Sequence, residues 1–298
     1  MPRLCRAGPV AIGPGQPLTI IAGPCVLESF ELGLAIGTRL RDECRRLGLQ
    51  YVFKASFDKA NRTSIDSPRG PGLERGLEWL ARLRDELGAP ATTDIHEPQQ
   101  ADAAARAVDL LQIPAFLCRQ TDLLVAAGRA ATAHARAVNV KKGQFVSPDE
   151  MRGPVHKLAQ AGCTNVMLTE RGTFFGYGRL VNDFLGVAEM MEADHKAVGP
   201  AGAGGSGGVG GPVPVCFDCT HSTQQPGRGE GGKVTGGRAD LAPMLARAAT
   251  AAGVHALFME CHPEPRTALS DAATMIPLEA MPGVLRDVAA IRRALAPV

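Results

Sequence analysis

Cys25, His221, Glu260 and Asp271 offer one thiolate, one imidazole and two carboxylates, a ligand set suited to a divalent metal such as Fe²⁺, Zn²⁺ or Mn²⁺. They stand in Ala22-Gly23-Pro24-Cys25, Asp218-Cys219-Thr220-His221, Phe258-Met259-Glu260 and Leu269-Ser270-Asp271. No two are close enough in sequence to make a local metal motif. Taken singly, each has a plainer explanation: a small buried thiol in a tight turn, a hydrogen-bonded core histidine, a partner for Lys54 or Lys141, a capping carboxylate. They form one site only if the fold gathers separate strand ends, so the chemistry depends on the architecture.

Short apolar runs supply eight candidate strands: Leu18–Ala22, Tyr51–Lys54, Ala91–Asp94, Leu110–Ile113, Val138–Lys141, Asn165–Thr169, Val213–Asp218 and Ala256–Glu260. Between them, Glu31–Leu47, Leu73–Leu87, Ala239–Ala252 and Met281–Leu295 repeat their apolar residues at a helical period, so each buries one face. Ser147-Pro148-Asp149-Glu150 reads as a helix start with a capping box, and Ala161-Gly162 as its stop. Repeated βα units imply parallel strands covered by helices, and eight of them favour an α/β fold of the closed (β/α)₈ TIM-barrel type. The 298 residues then make a single catalytic domain. The segment Arg3–Gly15 is rich in Gly and Pro and predicts a short N-terminal hairpin-like extension over the lower mouth. The glycine-rich stretch Gly199–Gly211 falls in an αβ loop, on the face away from a barrel's chemistry, and reads as a flexible, catalytically idle insertion.

In such a barrel, chemistry sits at the C-terminal ends of the strands. Those ends carry Cys25; Lys54 with Ser56, Asp58, Lys59, Asn61 and Arg62; Asp94 with His96; Gln112; Lys141 with Lys142 and Gln144; Glu170 and Arg171; Asp218 with His221; and Glu260 with His262. Lys54, Lys59, Arg62, Lys141 and Arg171 make a cationic bowl suited to substrates bearing several phosphate or carboxylate groups. A salt-bridged rim using Asp58, Asp94, Glu170 and Asp218 accounts for some of these cations but not the whole cluster.

The rest of the composition excludes more than it suggests. Net charge is +2, from 32 basic and 30 acidic residues, so no global field draws the chain to nucleic acid or membrane. No apolar run is long enough to span a bilayer, and the first residues lack a signal-peptide core; a cytoplasmic location is expected. The eight cysteines are scattered, which fits reduced thiols. Cys216 and Cys219 have Cys-x-x-Cys spacing but no second pair to complete a zinc ribbon, so they read as strand packing.

Several long motifs are similar to those of 3-deoxy-D-manno-octulosonate 8-phosphate synthases, also called 2-dehydro-3-deoxyphosphooctonate aldolases. They are Lys54-Ala55-Ser56-Phe57-Asp58-Lys59-Ala60-Asn61-Arg62-Thr63-Ser64 followed by Arg69-Gly70-Pro71-Gly72, Asn139-Val140-Lys141-Lys142-Gly143-Gln144-Phe145, Thr169-Glu170-Arg171-Gly172, Phe217-Asp218 with Thr220-His221-Ser222, and Glu260 with His262-Pro263-Glu264-Pro265. The resemblance runs from about Leu18 to the C-terminus. It implies condensation of phosphoenolpyruvate with D-arabinose 5-phosphate and water, a step towards lipopolysaccharide or related cell-wall sugars. It also implies a homotetramer with the 61–64 loop near a subunit interface. Lys54, Lys59, Gln112, Lys141, Arg171 and His221 would hold phosphoenolpyruvate. Asn61, Arg62, Thr63 and Ser64 would hold the pentose phosphate, and Gln144 and Asp218 complete the substrate-binding set. Lys59, His221 and Asp94 are the candidate catalytic groups. Cys25, with Leu269-Ser270-Asp271-Ala272, resembles the metal-dependent branch, since the metal-independent branch carries Asn at the position of Cys25. The metal would be held by Cys25, His221, Glu260 and Asp271.

Three other readings compete. A 3-deoxy-arabino-heptulosonate 7-phosphate synthase would use a related barrel, but usually shows Lys-Pro-Arg-Thr where this chain has Lys59-Ala60-Asn61-Arg62. A barrel metallohydrolase would normally show a His-x-His pair, and none is present. A non-catalytic binding protein is disfavoured by polar ends on all eight strands.

Overall fold

Strand and helix alternate eight times, and the strands close into a ring. The computed structural model describes residues 3–61, 65, 67–195, 210–229 and 235–295. The strands are β1 (Thr19–Gly23), β2 (Gln50–Lys54), β3 (Ala91–Asp94), β4 (Leu110–Ile113), β5 (Ala137–Lys141), β6 (Val166–Glu170), β7 (Val215–Asp218) and β8 (Ala256–His262). Each is followed by its covering helix: α1 (Phe30–Leu47), α2 (Leu73–Leu87), α3 (Ala101–Ala107), α4 (Thr121–Ala133), α5 (Arg152–Gln160), α6 (Phe184–Glu192), α7 (Ala242–Ala251) and α8 (Met281–Leu295). All neighbouring strands of the ring are parallel. Ala256 of β8 lies opposite both Thr19 of β1 and Cys216 of β7, which closes the (β/α)₈ barrel as the sequence predicts.

Local chemistry sets the element boundaries. Ser29 caps α1 by accepting from the Leu32 N–H at 3.1 Å, and Gly48 ends the helix in the left-handed region at φ 70°. Ser147 and Glu150 form the expected reciprocal cap, with Ser147 N donating to Glu150 Oε2 at 2.9 Å and Glu150 N to Ser147 Oγ at 3.4 Å. A 3₁₀ turn over Asp149–Met151 intervenes before α5 begins at Arg152, later than the cap alone suggests. Strand β7 starts two residues after its apolar run, because Pro214 has no N–H for the ladder. Strand β8 runs on to His262, because Cys261 and His262 pair with Ile276 and Pro277.

Two apolar layers follow from the period of two along each strand. One face, including Ile20, Phe53, Leu111, Val140, Leu168, Phe217 and Leu257, packs against the helices. The other, including Ile21, Val52, Leu110, Ala137, Met167, Cys216, Ala256 and Phe258, fills the barrel interior. A hairpin, Cys5–Ala7 antiparallel to Val10–Ile12, adds Cys5, Ala7 and Ile12 to that interior layer. Asn165 fastens it, accepting from Arg6 N at 2.7 Å and donating to Arg6 O at 2.9 Å. The predicted extension is therefore a plug for the lower mouth. Apart from its last two residues, the glycine-rich stretch 199–211 lies outside the described residues. Among the described residues, no helix is long and apolar enough to cross a membrane.

Candidate active site at the open mouth of the barrel

Moving two residues up from the apolar interior layer changes its chemistry. Val52 gives way to Lys54, Leu110 to Gln112, Cys216 to Asp218 and Phe258 to Glu260, each on the same strand face. The interior is thus apolar below and ionic at the mouth. There it opens into a cavity of about 550 Å³ lined by, among others, Lys54, Lys59, Gln112, Lys141, Arg171 and His221. Gly23 is required at the first strand end: a Cβ there would lie 2.1 Å from the Lys54 carbonyl oxygen, so only glycine lets the Cys25 turn pass this close to β2.

Cys25, Glu260 and Asp271 converge, with one ligand atom of each within 4.8 Å of the others. The Cys25 thiol lies 3.0 Å from Asp271 Oδ2 and 3.1 Å from Ser270 Oγ. His221 stands outside this mutual trio, with its Nε2 3.5 Å from Glu260 Oε2. The four sequence-predicted ligands therefore appear as three together and one alongside.

The trio's chemistry fits a cation. Burial, with Asp271 and Glu260 beside it, pushes the Cys25 thiol well above its ordinary pKa, so a thiolate there calls for a positive partner. Glu260 Oε2 is buried with no hydrogen-bond partner among the described residues. Burial also opposes the Glu260 carboxylate, but Lys54, His221 and Lys59 outweigh it and hold its pKa down at about 2. Asp271, at φ 48°, holds a left-handed backbone that turns the loop there, a conformation Asp tolerates better than most residues.

The cations are unevenly paired. Lys54 Nζ lies 2.5 Å from Glu260 Oε1 and donates to the Cys25 carbonyl at 2.9 Å. Lys141 Nζ lies 2.6 Å from Asp218 Oδ2. Lys59 has Glu260 only at 4.0 Å. Burial opposes its charge, but the carboxylates of Glu260, Asp94 and Asp271 favour it, and its pKa lies well above the ordinary lysine value. Arg171 has no carboxylate within ion-pair distance among the described residues. It donates to the neutral amide oxygen of Gln224 at 2.5 Å, and its Nη1 is buried without a partner. Gln112 Oε1 is likewise buried and, among the described residues, unpartnered. Orphaned donors and acceptors of this kind are costly unless a ligand completes them. The anticipated rim is only partly real: Glu170 pairs with Lys142 at 3.3 Å, and Asp58 turns outward to Arg69.

Asp218 does not line the cavity. It is fully buried behind it, where Oδ2 meets Lys141 and, at 2.7 Å, His221 Nδ1, while Oδ1 accepts from the N–H groups of Thr220 and His221. Asp218 thus contacts Lys141 and His221 behind the cavity wall, whereas the sequence expectation set it against substrate. Asp94 accepts from Ser56 Oγ and lies 3.0 Å from His96 Nε2; burial opposes its charge, but the His96 hydrogen bond and Lys59 hold it well below the usual carboxylate range. Asn61 and Gln144 line the cavity. Arg62, Thr63 and Ser64 lie outside the described residues.

Three mouth residues carry roles that sequence spacing did not assign: His96, Gln224 and Ser270, all lining the cavity. His96 had a signal, its place just past β3. Ser270 stood within the Leu269-Ser270-Asp271-Ala272 motif, and Gln224 had no signal beyond proximity to His221. Cys219 and Cys261 face the helices and Cys216 the barrel interior, so none points at the trio, and the Cys-x-x-Cys spacing straddles two sides of a strand. All eight cysteines are free and buried.

Residues 4–292 match the model of the DAHP synthetase I family. The 2-dehydro-3-deoxyphosphooctonate aldolase of Cyanothece sp. (strain PCC 7425 / ATCC 29141) is 50% identical over 287 residues, covering 96% of this chain and 96% of that protein. The enzyme of the same name from Nitratidesulfovibrio vulgaris (strain DP4) is 52% identical over 272 residues, 91% of each chain. That from Synechococcus sp. (strain ATCC 27144 / PCC 6301 / SAUG 1402/1) is 51% identical over 286 residues, 96% of this chain and 92% of the other. The chain belongs to the DAHP synthetase I family, among its 2-dehydro-3-deoxyphosphooctonate aldolases.

Proposed function

With that membership as premise, we propose that the chain joins phosphoenolpyruvate to D-arabinose 5-phosphate and water, releasing 3-deoxy-D-manno-octulosonate 8-phosphate and phosphate. The observation that carries this reading is the buried cationic mouth, where Arg171 presents a guanidinium that, among the described residues, has no carboxylate at contact distance and one unpartnered amino group. Lys54, Lys59, Lys141 and Arg171 would fix the phosphate and carboxylate of phosphoenolpyruvate, with Gln112 and Gln144 beside them. Asn61, Arg62, Thr63 and Ser64 would take the pentose phosphate. Holding both substrates replaces a bimolecular search by proximity. A bond forms between carbon three of the enol and the aldehyde carbon, whose oxygen takes a proton. Water adds at carbon two and loses a proton, and the C–O bond to phosphate then breaks. Lys59, held as an ammonium, is placed to give a proton. His221, its Nδ1 held by Asp218, presents Nε2 towards Glu260 for the same kind of transfer.

Cys25, Glu260 and Asp271, with His221 alongside, would hold a divalent metal, which supplies Lewis-acid polarisation of an oxygen when bound. A homotetramer in the cytoplasm accords with this reading; exposed Phe174, Phe175 and Tyr177 supply apolar surface for association. The test is phosphate release from phosphoenolpyruvate with D-arabinose 5-phosphate and with D-erythrose 4-phosphate, before and after chelation. Turnover with the pentose phosphate, lost on chelation and restored by Zn²⁺, Mn²⁺ or Fe²⁺, is expected. Turnover with erythrose 4-phosphate alone would replace the reaction, and full activity after exhaustive chelation would remove the metal.

A further inference from the structure

Gln224 touches both halves of the site. Its Oε1 accepts from Arg171 Nη2 at 2.5 Å, and its Nε2 donates to Asp271 Oδ1 at 3.3 Å. An amide presents an acceptor to a cation and a donor to a carboxylate at once, and this pair of neighbours fixes which end faces which. The far side of each partner belongs to a different site. Among the described residues, Arg171 Nη1 is buried and unpartnered, while Asp271 Oδ2 accepts from Ser270 Oγ at 2.7 Å and faces the Cys25 thiol at 3.0 Å.

The backbone under Gln224 is braced from two directions. Its carbonyl accepts from Leu180 N at 3.4 Å, in the segment that follows Arg171. Gln224 and Gln225 also pair with Gly237 and Gly236. Gly237 packs so tightly on the Asp271 loop that a Cβ would come within 2.3 Å of Thr274 Cγ2. The amide therefore sits on a frame tied to both loops it connects.

We propose that Gln224 is a positioning residue that couples the anion site at Arg171 to the metal site at Cys25, Glu260 and Asp271. An anion that takes Arg171 Nη1 immobilises the guanidinium, which holds the Gln224 amide and so holds Asp271 in its ligating pose. A metal on Asp271 does the reverse. Ordering by the first ligand spares the second that cost, and the coupling is reciprocal. The inference rests on the metal-and-phosphoenolpyruvate reading of the site.

The experiment measures Mn²⁺ affinity by competition with a chelator, with and without saturating phosphoenolpyruvate, in the wild type, Gln224→Met and Gln224→Glu. In the wild type, phosphoenolpyruvate should tighten Mn²⁺ about five-fold or more, the lower end of typical site-to-site coupling. Gln224→Met keeps the length and removes both contacts, so the factor should fall to about one with the melting temperature little changed. Gln224→Glu keeps an acceptor for Arg171 but sets a carboxylate against Asp271, and should also lose the coupling. A Gln224→Met protein that binds both ligands and retains the wild-type factor overturns the proposal alone. A wild type that binds no Mn²⁺ overturns the metal reading and this proposal together.

Discussion

The two ends of one barrel solve the same packing problem in opposite ways. At the lower end the interior is closed by Ile12, Cys5 and Ala7 of the hairpin against Ile21, Val52, Leu110 and Ala256, an apolar layer. At the upper end the same strand faces present Lys54, Gln112, Lys141, Asp218 and Glu260, all buried and several less than fully partnered. Burying apolar surface stabilises without needing geometry, whereas burying ions costs free energy unless every partner is in place. The lower end therefore carries stability and the upper end carries chemistry.

The sharpest way to break that contrast is Lys54→Met. It removes the ion-pair partner of Glu260, whose carboxylate is fully buried, and should cost about 3–5 kcal/mol of stability. Phosphate release should be nearly abolished as well, so urea unfolding and turnover would fall together. Ile12→Ala at the plug should cost a comparable amount, about 2–5 kcal/mol for a truncated core side chain, yet leave kcat within about two-fold at a temperature where the protein stays folded. A large kcat loss there would mean that the two ends are not independent.

Cys25→Ala acts in the opposite sense. Metal affinity should fall at least about 100-fold, the upper range for disturbing a ligand environment, while the melting temperature moves little. Metal analysis after dialysis checks it, and unchanged metal content would remove Cys25 from the ligand set.

The smallest effect separates the ends by pH. His255, at the foot of β8, accepts from Val215 N at 3.0 Å through Nδ1, and burial lowers its pKa from 6.5 to about 4. Its contribution to stability is therefore full above pH 6.5 and lost as pH falls towards 4, by up to roughly 2–3 kcal/mol. Glu260 at the mouth, depressed from 4.5 to about 2, contributes fully above pH 4.5 and loses its contribution only as pH falls towards 2. Stability between pH 6.5 and 5 should then fall through buried histidines away from the mouth, His255 and also His195, which burial likewise lowers to about 4, and His255→Gln should remove His255's part of that slope. An unchanged slope would show that His255 does not titrate there.

Much of the scaffold was legible because its period was. The boundaries of β3, β4, α2 and α8 follow the apolar pattern to the residue. Helices α3, α4 and α6 were not delimited. Those at Ala101–Ala107 and Thr121–Ala133 bury faces built largely of alanine, whose hydropathy barely distinguishes inside from outside. At the mouth, Lys54, Asp94, Gln112, Lys141 and Glu260 could be placed from sequence because each lies at or near the C-terminal end of a strand. Asp218 was placed by the same rule, but its contacts with Lys141 and His221 were not legible, since sequence shows that a residue reaches the mouth and not which way its oxygens turn. Gln224 was missed because its importance lies in what it touches.

The sequence by itself determined the alternation of strand and helix, the set of polar residues at the strand ends, and the motifs of the family. Those are properties of local period and residue type. Only the tertiary structure decided that Cys25, Glu260 and Asp271 meet while His221 stands alongside, that among the described residues Lys141 has a carboxylate partner and Arg171 an amide instead, and that this amide touches both halves. The physical reason is range. Hydrophobic period acts over a few residues, whereas a contact between positions 25 and 271 exists only once β8 has closed against β1.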